Sequence, residues 1–251
     1  MKLLLDFLCR FGWGMAMGLV LTPATLVPAG FFRVNLLVVL GLATAAALVA
    51  PAAEATNGTS ATAAAAALAA WLGSVAWLGE RRRAGVVLCG ITAALLAAAT
   101  LLASRPAMAA TAGAVPAWAT AGGTALLSGL VSGLAVHAML LGHWYLNAPG
   151  MRVDALRRMI DLALAAWGLQ LAWAIGDLAA GGWPAAAAGT TGTALLALRW
   201  LAGLAGLPLL LVMARKTLDI PNTQSATGIL YVACLAAILG ELTAQLLRAS
   251  S

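Results

Sequence analysis

Side chains able to do chemistry are few in this chain, and several of them share a neighbourhood. Both histidines, His137 and His143, stand in the run HAMLLGHWYLNAPG at residues 137–150, with Trp144, Tyr145 and Asn147 beside them. The second of the two tyrosines, Tyr231, follows a polar run of Asn222, Thr223, Gln224, Ser225 and Thr227. Arg33 and Asn35 open another apolar stretch. Histidine exchanges a proton near neutral pH, and histidine, tyrosine and glutamine can each donate to a carbonyl oxygen. Donors of that kind at the mouth of an apolar pocket suit a quinone, whose carbonyls need hydrogen bonds and whose tail needs apolar walls. His143, Tyr145, Tyr231, Arg33 and Gln224 are therefore the expected quinone ligands. The same residue types also collect at any membrane interface, so a purely structural role accounts for them equally.

Other chemistries fit less well. His137 and His143 are six residues apart, which turns their rings to helix faces roughly 120° apart. They cannot hold one iron from the same face, no third histidine completes a pair, and haem is not expected. Metal sites fail for the same want of ligands. Cys9, Cys89 and Cys234 lie singly in apolar runs, as packing thiols do. Neither a phosphate-binding loop nor a hydrolase or dinucleotide fingerprint stands in a usable context. A self-contained enzyme is not expected.

A second polar layer lies deeper in the apolar runs. Arg199 and Glu241 fall at similar depth from one end and are expected to pair, as ionisable groups in lipid do. Arg10, Gln170 and Asp177 are their possible neighbours in an ion or proton path. Asp161 is expected to serve as the local partner of Arg157, four residues away on one helix.

The elements that carry these residues are helices in lipid. Hydrophobic residues make up 63% of the chain, charged residues only 9%, and mean hydropathy is +0.98. Globular domains carry roughly 25% charged residues, so this surface cannot face water throughout. Apolar stretches long enough to cross a core of about 30 Å recur from end to end. The expected fold is an all-α integral membrane protein: about eight transmembrane helices in one bundle, residues 1–251 forming a single polytopic domain. The helices are expected at 4–21, 36–50, 63–78, 85–103, 118–145, 154–177, 193–213 (with Pro208 inside) and 226–247, the last capped by its Thr/Ser start. The first imitates a signal peptide, but Asp6 and Arg10 interrupt its apolar core, and it is read as retained.

Loop charge sets the orientation. Arg33, the Arg81, Arg82, Arg83 run, the Arg152, Arg157, Arg158 set and the Arg215, Lys216 pair fall in four alternate connections. The other connections hold only Arg105, and Lys2, Arg10 and Arg248 lie towards the termini. Short basic loops stay in the cytoplasm, which places both termini on the outer, periplasmic side. The +6 charge is explained this way without nucleic acid. Trp13, Trp118, Trp183 and Trp200 are expected at the outer interface, Trp77 and Trp144 at the inner one. Gly14-xxx-Gly18 and Gly129-xxx-Gly133 would permit close helix contact, though a chain this rich in glycine yields such spacings by chance.

Helix number and the lack of an extramembrane domain resemble the membrane anchors of modular respiratory complexes of the polysulfide-reductase type, in architecture and with no shared motif. That resemblance implies an integral subunit of an electron-transfer complex in a bacterial inner (cytoplasmic) membrane, contacting lipid and protein partners, with quinone at the cytoplasmic side. The alternatives are a small polytopic transporter or channel, against which the near-absence of a polar midplane speaks, and a structural or assembly subunit.

Overall fold

Lipid offers the backbone no hydrogen bonds, so each crossing segment must satisfy its amides and carbonyls internally. The computed structural model meets that demand with helices. It describes residues 1–104, 117–148, 150–179, 189–220 and 222–249, and among these there is no strand. Eight helical spans are long and apolar enough to cross a membrane. In order they are α1 (Lys2–Leu21), α2 (Ala29–Val49), α3 (Asn57–Leu78), α4 (Arg82–Ala103), α5 (Ala117–Asn147) and α6 (Asp154–Ala179). The seventh is compound, α7 (Thr190–Leu198) running through a π-helical segment (Arg199–Gly206) into α8 (Leu207–Thr217), and the eighth is α9 (Thr223–Ala249). Hydroxyls inside the spans bond back along their own helix, Thr92 to Leu88 O and Thr100 to Leu96 O, both at 2.8 Å. This satisfies a polar atom that lipid would leave bare.

Two compact units divide the chain, residues 1–133 and 134–251. In the first, α1 packs on α2 and α4, and α3 packs on α2 and α4, closing a four-helix ring. Its core at one end is small and apolar, with Leu5, Leu8, Cys9, Ala46 and Ala99 buried together. The early part of α5 crosses α1 backbone to backbone. A Cβ added to Gly14 would lie 1.9 Å from the Gly129 carbonyl oxygen, and one added to Gly133 would lie 2.2 Å from the Gly14 carbonyl carbon. The Gly14 and Gly129-xxx-Gly133 spacing thus has a structural cause. Trp13 locks the crossing by donating from Nε1 to Leu126 O at 3.0 Å.

At the other end of this unit an aromatic stack takes the place of small residues. Phe32 lies on Trp77 with ring centroids 4.2 Å apart and planes at 13°. Trp77 is fully buried and covers Gly85, where a Cβ would come within 2.6 Å of the indole. Trp77 therefore packs three helices together. Trp13, about 16 Å along α1 by helical rise, likewise belongs to packing. The expected positions of Trp118 and Trp183 fall on side chains outside the described residues.

In the second unit α9 is the centre, packed by α7, the π segment and α8, while α8 also touches α6. Gly203 and Gly240 meet backbone to backbone, each with a would-be Cβ under 3.0 Å from the other's Cα. The π segment ends with Leu207 N donating to Ala202 O. Pro208, one residue on, has no N–H to continue the ladder, and the wider turn accommodates it. The N-cap of α9 is Asn222, whose Oδ1 accepts from Ser225 N at 2.9 Å. The expected Thr/Ser cap is corrected: those residues form the first turn itself.

Candidate functional site

In the second unit α5 and α9 run side by side. Gly142 sits against Thr227, where a Cβ would meet Thr227 Oγ1 at 2.7 Å, and Cys234 Sγ donates to Ala135 O at 3.3 Å. Only a glycine at 142 lets the helices close here, and that closeness sets the next residue, His143, beside Tyr231. Tyr231 Oη and His143 Nδ1 share a hydrogen bond of 3.2 Å, with rings edge to face at 6.4 Å. No other described residue bonds the imidazole, and both side chains are exposed, Tyr231 by 46%. Gln224 lies seven residues before Tyr231, within about 20° on the same face of α9, and is exposed too. Gly228 stands between them with nothing within 4 Å of its would-be Cβ. The result is an open strip of Gln224, Gly228 and Tyr231, flanked by His143.

Tyr145 and Arg33 complete the set of expected ligands. Tyr145 is buried, and its hydroxyl donates to the Arg152 carbonyl, tying down the connection between α5 and α6. Asn35 is buried and donates to Phe31 O at 2.8 Å within its own helix. Arg33 is exposed in the first unit, next to the Phe32–Trp77 stack.

Three arginines of the second unit, Arg152, Arg157 and Arg215, meet carboxylates. Arg215 Nε bonds Asp161 Oδ1 at 2.8 Å and also approaches Asp219, and Arg157 approaches Asp219 at 3.9 Å while donating to Leu218 O. Arg152 meets Asp154 at 2.8 Å. Asp161 therefore answers Arg215, 54 residues away, rather than the expected Arg157. Tertiary packing overrides the local spacing because Arg157 turns towards the end of α8.

Each unit also buries polar side chains within its spans. Arg10, 5% exposed, lies well inside α1 rather than at a terminus, and meets Asp6 at 3.6 Å. Ser128, Ser132 and His137 are buried on α5. In the second unit Glu241 is 4% exposed, and its Oε1 accepts from Gln245 Nε2 at 2.6 Å. Arg199 is half-buried at the start of the π segment, one turn from Gly203, and Glu241 adjoins Gly240. The Gly203–Gly240 contact thus brings the two expected partners to one level. The side chain of Asp177, a possible neighbour, lies outside the described residues. No cluster of metal-ligating side chains occurs among the described residues.

Architecture and composition together define a multi-pass helical membrane protein. Comparison with family models, with curated proteins and with solved structures finds no match for the chain.

Proposed function

We propose that the chain is an integral subunit of a bacterial electron-transfer assembly in the cytoplasmic membrane, and that its His143–Tyr231 pair meets a quinone carbonyl on the cytoplasmic side. The observation that carries this reading is the His143–Tyr231 hydrogen bond on an open face. If Tyr231 donates to Nδ1, the imidazole holds its proton on Nε2, because a bond at one ring nitrogen sets the tautomer of the other. That N–H is then a donor for a quinone oxygen, with Gln224 available for the ring's periphery and Gly228 leaving room for it. Tyr145 positions the end of α5 by closing the connection to α6. The chain itself binds; electrons come from partner subunits.

The basic connections favour a cytoplasmic strip. A cysteine at Ala53, in a background lacking Cys9, Cys89 and Cys234, should react with impermeant reagent in intact cells, and one at Ala84 should not. Protein extracted from native membranes in mild detergent should carry quinone together with other subunits. Purification without quinone and without partners would overturn the reading.

A transporter or channel is the second reading. The π segment beside buried Glu241 favours it, since interrupted helices next to buried charge form transport sites. Solute flux in proteoliposomes holding this chain alone would decide for it.

A further inference from the structure

The first unit gathers four arginines at one end and leaves them largely uncompensated. Arg33 follows Phe32, and Arg81, Arg82 and Arg83 follow Trp77 by a turn or so. The stack of those two rings clamps the start of α2 to the end of α3, and Gly85 beneath Trp77 draws in the start of α4. Between α3 and α4 the chain turns in a tight C-terminal motif, with Glu80 N donating to Trp77 O and Arg81 N to Ala76 O. Arg82 reaches across to the Ala24 carbonyl at 3.3 Å, holding the α1–α2 connection to the same cluster. Arg33, Arg81 and Arg83 are exposed, and among the described residues no carboxylate pairs with them. Glu80 is the one acid in these connections, exposed at φ 54°. Below the guanidiniums the helices are apolar and exposed: Val34, Leu37 and Val38 on α2, Leu78 on α3, Val87 and Ile91 on α4.

We propose that this end of the first unit is a binding site for an anionic phospholipid. Its phosphate lies among Arg33, Arg81 and Arg83, and its acyl chains run along the exposed strips beneath them. Charge complementarity selects the occupant. Guanidinium forks match phosphate oxygens in bidentate fashion, and basic groups beside membrane helices bind acidic headgroups. A zwitterionic lipid offers the same acyl chains, but its ammonium opposes the same arginines. An acidic protein segment would satisfy the charge without using the apolar strips.

The full chain, purified in detergent, is offered phosphatidylglycerol and phosphatidylcholine with identical acyl chains, and retained lipid is measured by native mass spectrometry. Each arginine should contribute about fivefold, so the preference for phosphatidylglycerol should be roughly a hundredfold and should nearly vanish in Arg33→Gln/Arg81→Gln/Arg83→Gln. The single changes Arg33→Gln and Arg83→Gln should each lower it about fivefold, which keeps the test open if the triple variant does not fold. Arg158→Gln/Lys216→Gln in the second unit should leave it unchanged. Equal retention of the two lipids by the wild type would overturn the proposal. So would a preference surviving the triple change, or displacement of the lipid by inorganic phosphate at equal concentration.

Discussion

The two units solve the problem of helix ends in opposite ways. In the first, an aromatic stack and glycine crossings hold the helices, while Arg33, Arg81 and Arg83 have no carboxylate partner among the described residues. In the second, Asp161, Asp219 and Asp154 meet Arg215, Arg157 and Arg152, and the polar pair His143 with Tyr231 is exposed. Between lipid-bathed helices the hydrophobic effect drives little association, so close backbone contact and side-chain bonds must do it. Both units use close glycine contacts, and the second adds ion pairs at its helix ends. On the proposed reading, lipid contact falls to the first unit and ligand chemistry to the second.

That division can be broken in the first unit at its crossing and at its aromatic stack. Gly14→Val would push a side chain into the Gly129 carbonyl, where overpacking commonly costs about 1–3 kcal/mol and sometimes more. We expect loss of monodisperse protein on gel filtration, whereas Gly41→Ala, with open space around it, should be tolerated. A Gly14→Val protein as stable as the wild type would remove the contact-based account of the first unit. Trp77→Ala should lower stability by about 3–5 kcal/mol, as expected for a large buried aromatic, read from thermal unfolding in detergent.

In the second unit the deepest test concerns Arg199 and Glu241. Breaking a buried pair costs roughly 3–5 kcal/mol in soluble proteins, and less in membranes where snorkelling and water defects help. Glu241→Gln should destabilise, and adding Arg199→Gln should recover part of the loss; strictly additive losses would show that the two do not interact. The smallest effect is expected at the surface network. Arg215→Gln should cost less than about 1 kcal/mol, because exposed ion pairs contribute little, and a larger loss would make bonds at that end as decisive as packing.

Much of the helical scaffold was legible in the sequence because apolar run length alone sets the spans. The expected starts of α2 and α3 fell late, at 36 and 63 against Ala29 and Asn57, because first-turn residues such as Arg33, Asn57 and Thr59 read as loop although helix N-terminal turns accept them. The π segment had no local signal beyond Pro208. The glycine crossing was hidden by composition, since abundant glycine makes any single pair look accidental. Asp161 with Arg215 was invisible because the pairing depends on how α6 meets α8. His143 and Tyr231 could be placed at one level from helix counting, but their contact needed Gly142 against Thr227, a pairing no single helix encodes.

The account turns on whether the His143–Tyr231 pair holds a ligand. The most direct measurement is quinone content per folded protein, extracted and quantified after purification from native membranes, for wild type, His143→Leu and His137→Leu. Losing one donor to a buried polar group costs about 1–3 kcal/mol, roughly ten- to a hundredfold in affinity. His143→Leu should therefore lose most of its quinone, while His137→Leu, altered within the buried body of α5, should keep it. Equal quinone in all three, or none in the wild type, would contradict the account and leave His143 an interfacial histidine of a structural subunit.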